Sequence, residues 1–119
     1  MTMAASVSVA GVRLAYDTAG AGDPPMIFVH GWACDRSYFA PQFRHFAAGH
    51  AVAAMDLRGH GDSGRPAPGP GVYDIDVLAG DVLAVARAAG LGRPCWSATA
   101  WAPWSAWPVP PGRAPSARW

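Results

Sequence analysis

The stretch Pro25-Met26-Ile27-Phe28-Val29-His30-Gly31-Trp32 decides the fold. Four apolar residues run without a break between a Pro and a His-Gly pair. A strand of a parallel sheet reads this way, because helices cover both of its faces and each face needs apolar side chains. Functional groups in such sheets gather at the carboxyl ends of the strands. His30-Gly31-Trp32 therefore falls where chemistry is expected, and Gly31 lets backbone N–H groups approach a substrate oxygen.

Working outward, Asp35 to Phe46 carries Tyr38, Phe39, Phe43 and Phe46 at helical spacing, with Pro41 suited only to a helix start. Ala51 to Met55 predicts a second, weaker strand. Asp56 to Gly71 is rich in Gly, Pro and Asp, and predicts a loop. Tyr73 to Ala89 predicts a helix whose apolar stripe is Ile75, Leu78, Val82, Val85 and Ala89. Asp74 and Asp76 near its start and Arg87 near its end suit the helix dipole, and Gly90 suits the position after it. Before the deciding stretch, Val7 and Val9 alternate on one face and Val12, Leu14 and Tyr16 on another. Gly11 lies between them, which predicts a β-hairpin. Hairpin, strand, helix, strand, loop and helix together imply an α/β sheet with a parallel βαβ crossover.

Composition bounds the function. The chain has 119 residues, and its nine basic residues (all Arg) and eight acidic residues (all Asp) leave a net charge of +1. That balance excludes a broad nucleic-acid footprint and a polybasic membrane anchor. The absence of Lys and Glu suggests a GC-rich coding sequence. No basic-then-apolar leader opens the chain, and no run of about 18 apolar residues spans a bilayer. A soluble cytoplasmic protein is expected, with no nucleic-acid or membrane partner. Cys34 and Cys95 form neither a disulfide framework nor a metal-ligand spacing, so neither metal nor cofactor is expected.

The second chemical segment is Asp56-Leu57-Arg58-Gly59-His60-Gly61-Asp62-Ser63, which follows the second strand as His30-Gly31-Trp32 follows the first. These two segments and the helix from Tyr73 resemble the first half of an α/β-hydrolase-fold protein, over about residues 5–94. The resemblance implies a three-layer α/β sandwich, incomplete in this chain. It implies esterase-like hydrolysis of a small-molecule ester-like substrate in a full-length relative, by a Ser on a G-x-S-x-G elbow, an acid and a His. It makes the backbone N–H of Trp32 one oxyanion-hole donor, with Gly31 and His30 shaping the loop. Such donors meet the charge that develops only in the transition state.

The other polar residues admit a structural role beside a catalytic one. Ser63 sits in Gly-Asp-Ser-Gly, but the strand–turn–helix setting of a nucleophile elbow is absent, so a loop role is expected. His30 lacks an assignable Ser or Asp partner, and a structural role is expected. Asp56, Arg58, Gly59, His60 and Gly61 are expected to fix their loop through turns and side-chain hydrogen bonds. Cys34 is expected to be a packing residue.

From Cys95 the character changes. Trp96, Trp101, Trp104, Trp107 and Trp119 crowd a stretch with no Leu, Ile, Met, Phe, Tyr or Asp. The chain is expected to divide into a partial hydrolase domain, 1–94, and an irregular Trp/Pro-rich tail, 95–119. Where the family places its elbow, the sequence reads Cys95-Trp96-Ser97-Ala98-Thr99-Ala100-Trp101-Ala102. No G-x-S-x-G occurs, and none of the triad can be named. The single Trp codon allows the shifted frame to be reconstructed in part. It permits Leu-Val-Gly-His-Ser-Leu-Gly there, so the tail is expected to be out of frame and the chain a truncated, inactive fragment. The alternative is a binding module using the tail, with Pro108-Val109-Pro110-Pro111 as a polyproline segment.

Overall fold

A computed structural model describes residues 2–92, and residues 95–98 by their backbone. The elements, in chain order, are β1 (Met3–Val9), β2 (Val12–Ala19), β3 (Met26–Val29), a 3-10 turn (Arg36–Phe39), α1 (Ala40–Phe46), β4 (Val52–Met55), α2 (Ile75–Ala88) and β5 (Cys95–Ala98). The strands form one sheet in the order β1-β2-β4-β3-β5. β1–β2 and β2–β4 are antiparallel, and β4–β3 and β3–β5 are parallel.

The expected hairpin forms, with longer strands. Its turn uses positive φ at both Ala10 (47°) and Gly11 (83°), the twist that two-residue hairpins need. The two alternating sets meet on one face rather than two. Val7 stands opposite Leu14 and Val9 opposite Val12, and all four pack towards α2.

The central strands divide the molecule residue by residue. Ile27, Val29, Ala53 and Met55 face α2 and join Leu14, Tyr16, Leu57, Val82, Val85 and Ala86 in one core. Phe28, Val52 and Ala54 point the other way and join Phe39 and Phe43 in a second core. A strand alternates its side chains, so an unbroken apolar run serves both layers at once. This is the three-layer arrangement that the sequence implies, with α1 on one face and α2 on the other.

The helices depart from expectation in detail. The segment 35–46 is a 3-10 turn followed by α1, with Pro41 in the first turn of α1 and Asp35 capping the 3-10 turn through the N–H of Ser37. α2 begins at Ile75 rather than Tyr73, and Gly90 follows it at φ 70°. Its buried stripe is rotated. Ile75 is exposed, while Asp81 and Ala86 are buried beside Val82 and Val85. The rotation brings Asp81 to Arg58.

The sheet continues past Pro94. Met26, Ile27, Phe28 and Val29 of β3 pair in register with Cys95, Trp96, Ser97 and Ala98. Backbone pairing at a sheet edge depends on main-chain N–H and C=O groups, so composition does not forbid it. Residues 99–119, the rest of the expected tail, lie outside the described residues.

Candidate functional site

Two loops leave the carboxyl ends of neighbouring parallel strands, β3 and β4, and so emerge side by side. The first carries His30, Gly31 and Trp32; the second carries Asp56 to Ser63.

The first loop turns at once. Cys34 N–H donates to the Gly31 carbonyl at 3.3 Å, closing a turn with Trp32 second and Ala33 third. Ala33 has φ 60°, a left-handed conformation that costs a non-glycine residue energy. The Trp32 side chain is 77% exposed. Among the described residues, the Trp32 N–H has no hydrogen-bond acceptor.

His30 is buried directly behind this turn. Its Nδ1 lies 2.7 Å from the Gly31 carbonyl, and its Nε2 accepts the Leu57 N–H at 3.0 Å. A carbonyl needs a donor and an N–H needs a lone pair, so the ring is neutral with its proton on Nδ1. Burial lowers its pKa from the ordinary value, and nearby His60 lowers it further, against the Gly31 hydrogen bond that raises it.

The second loop folds around Asp56, which is fully buried. One carboxylate oxygen accepts the Arg36 N–H at 2.7 Å, and the other accepts the Asp62 N–H at 2.9 Å and pairs with the Arg36 guanidinium. Arg36 also pairs with Asp17 at 3.0 Å and Asp62 at 3.1 Å. Burial disfavours the charge on Arg36, but hydrogen bonding and attraction from Asp17 and Asp56 outweigh it and raise its pKa. Gly61 packs against the Asp56 carboxylate at φ 48°, where an added Cβ would collide with it. Ser63 is buried. Its Oγ donates to the Asp56 carbonyl at 2.6 Å and accepts the Ala15 N–H at 2.9 Å.

Arg58 leaves the site. It forms a forked pair with buried Asp81 of α2, with Nε at 2.5 Å and Nη2 at 2.8 Å, and donates to the Val72 carbonyl at 3.0 Å. The hydrogen bond to Asp81 holds the Arg58 pKa above its ordinary value, and burial only partly opposes this. Gly59, at φ 79°, lies beneath the ring of Tyr73, whose hydroxyl donates to the Pro66 carbonyl. His60 returns to the first loop. Its ring lies 5.0 Å from that of His30 and 5.5 Å from that of Trp32.

The structure thus brings His30, Gly31, Trp32, Asp56, Gly61 and His60 together, and holds Ser63 and Arg58 behind them. Sequence reasoning missed Arg36, Asp17, Asp62 and Asp81, which complete the ion pairs. Arg36 and Asp56 are 20 positions apart, and Arg58 and Asp81 are 23 apart. An Asp on the buried stripe of α2 was the one available signal, since a buried carboxylate needs a cation. A cavity of about 470 Å³ adjoins the loops, lined by Asp17, Asp35, Arg36, Phe43, Asp56 and Asp62 among others, but not by His30, Trp32 or His60. Among the described residues no cluster of three His, Cys, Asp or Glu could hold a metal, and no helix is long and apolar enough to cross a membrane.

Residues 24–98 match the alpha/beta hydrolase fold family. The chain is 42% identical over 62 residues to the AB hydrolase superfamily protein YisY of Bacillus subtilis, covering 51% of this chain and 22% of that one. It is 36% identical over 83 residues to a non-heme chloroperoxidase of Streptomyces lividans, covering 68% of this chain and 29% of the other. Its fold is similar to that of an epoxide hydrolase from Vigna radiata, with a TM-score of 0.74 and 29% identity, over 84% of this chain and 32% of that one. The chain spans less than a third of the length of these relatives. On its matched sequence and its three-layer sheet, the chain belongs to the alpha/beta hydrolase fold family.

Proposed function

We propose that the β3–β4 end of this sheet is the oxyanion-binding half of an esterase-like hydrolase site. The observation that carries the proposal is the turn at Gly31–Cys34, which among the described residues leaves the Trp32 N–H without a partner at the carboxyl end of β3. A small-molecule ester-like substrate would place its carbonyl oxygen there, and the N–H would bind the negative charge of the tetrahedral intermediate. The second donor would follow the nucleophile. The proposed setting is cytoplasmic.

In this reading the chain as written does not turn over substrate. His30 spends both ring nitrogens on backbone groups, and Ser63 spends its hydroxyl likewise. Neither is free to act as base or nucleophile. We further infer that residues 95–119 are the out-of-frame continuation of a hydrolase gene. The sharp change of composition and the missing G-x-S-x-G support this. A binding role for the tail is the competing proposal, and partner capture that disappears when residues 99–119 are deleted would favour it.

The coding DNA tests the frame. A Gly-His-Ser-x-Gly elbow with Leu, Met or Val at x is expected in the shifted frame, and the lack of an elbow or an early stop there would sink the idea. Purified chain as written should not hydrolyse an activated ester, whereas the frame-restored protein should. In the restored protein, Trp32→Pro removes the donor at a turn position that accepts Pro. It should lower kcat about 100- to 1,000-fold. An unchanged kcat would remove Trp32 from the mechanism.

A further inference from the structure

The oxyanion reading needs the Trp32 N–H to stay aimed, yet the turn that aims it is strained. Ala33 holds φ 60° without being glycine, and such residues persist only where their surroundings over-determine them. The Cys34-to-Gly31 hydrogen bond closes the turn at 3.3 Å, and contacts from both loops add to it.

Two imidazoles do so from opposite directions. His30, on the first loop, accepts the Leu57 N–H of the second loop at 3.0 Å. His60, on the second loop, accepts the Ala33 N–H of the first loop at 3.3 Å. Each ring fixes its other nitrogen on a backbone carbonyl of its own loop, His30 on Gly31 at 2.7 Å and His60 on Arg58 at 3.0 Å. Both rings therefore carry the proton on Nδ1 and present a lone pair at Nε2. The bonds fall at the two ends of the turn: His30 engages the Gly31 carbonyl that opens it, and His60 engages the strained Ala33 amide. Among the described residues the Trp32 amide between them has no hydrogen-bond partner.

We propose that His60 is a positioning residue for the Trp32 donor, acting with His30 as a reciprocal brace between the loops after β3 and β4. The brace rests on the oxyanion reading for its purpose, but not for its existence. Its key property is polarity: the bond to Ala33 needs an acceptor at Nε2, so a proton on His60 breaks it. The charged and titratable groups around the two rings are one another, Asp35 and Asp56 on the His30 side, and Arg58, whose guanidinium points away to Asp81.

Amide exchange and imidazole ¹⁵N shifts, measured on the full chain, test the brace. His60 should show the Nδ1–H tautomer. His60→Phe keeps a ring beside His30 and Trp32 but removes the acceptor. Ala33 should then exchange about fivefold faster and the Trp32 amide resonance should move, while Leu57 stays protected by His30. His60→Gln supplies a carbonyl at a similar reach and should restore both signals. If the Phe variant does not fold, the imidazole ¹⁵N shifts of the wild-type chain still carry the test, because the bond to the Ala33 N–H requires His60 with its proton on Nδ1. An Nε2–H tautomer at His60, or Ala33 exchange indifferent to the Phe substitution, would overturn the proposal. Neither readout uses turnover, so an intact brace beside an unchanged kcat in Trp32→Pro would discard the donor reading alone.

Discussion

Asp81 is a fully buried charge on a helix stripe otherwise made of Val and Ala, and its forked pairing with Arg58 explains its place. Removing one partner leaves an uncompensated buried charge. Asp81→Ala should therefore cost about 3–5 kcal/mol in urea unfolding. Replacing both residues, as Arg58→Met with Asp81→Leu, should recover most of that loss. His30 gives a prediction in pH. Burial holds its folded pKa below 6.5, so as the pH falls the unfolded chain takes up the proton first. The stability contributed by this group is complete above pH 6.5. It is lost progressively as the pH falls from there towards the lowered folded value. Unfolding midpoints across this range should fall less steeply in His30→Gln than in the wild type.

At the scale of elements, the glycines separate into two kinds. Gly61 holds positive φ against the Asp56 carboxylate, and Gly61→Ala should destabilise by at least about 1–2 kcal/mol. Gly80 is exposed on α2 with open space where a Cβ would stand, and Gly80→Ala should stabilise by about 1 kcal/mol. Thermal unfolding of both variants checks the contrast. The same scale shows what the sequence made legible. The hairpin and α2 follow from local periodicity, because each buries a face that recurs every two or about 3.6 residues, while β3 and β4 follow from short apolar runs buried on both faces. The clustering of His30, Gly31 and Trp32 with Asp56 and His60 follows from both segments leaving parallel strands at the same end. The partners of Arg36, Asp56 and Arg58 were not legible, because an ion pair between distant segments leaves no periodic mark. The stripe of α2 was misplaced for the same reason: apolarity alone favoured Ile75 over Asp81.

For the whole molecule, β3 and β4 each have a strand on both sides and a helix layer on both faces, whereas β1 stands at the sheet edge. Amide exchange should be slowest at Ile27, Phe28, Ala53 and Ala54 and markedly faster in the outer half of β1. Uniform exchange across the sheet would show that these strands do not form a cooperative unit. The match over residues 24–98 coincides with this centre and reaches through β5.

The alternating burial of β3 has a further consequence for how the chain responds to change. Ile27 and Phe28 are neighbours in sequence but belong to separate cores, while Phe28 shares a core with Phe43. Thermodynamic distance is thus inverted relative to chain distance. In double-mutant cycles, truncations at 27 and 28 should be nearly additive, whereas those at 28 and 43 should couple by about 0.5–3 kcal/mol. Along this strand, successive residues are free to vary independently, and the constraint on each is set by a helix elsewhere in the chain.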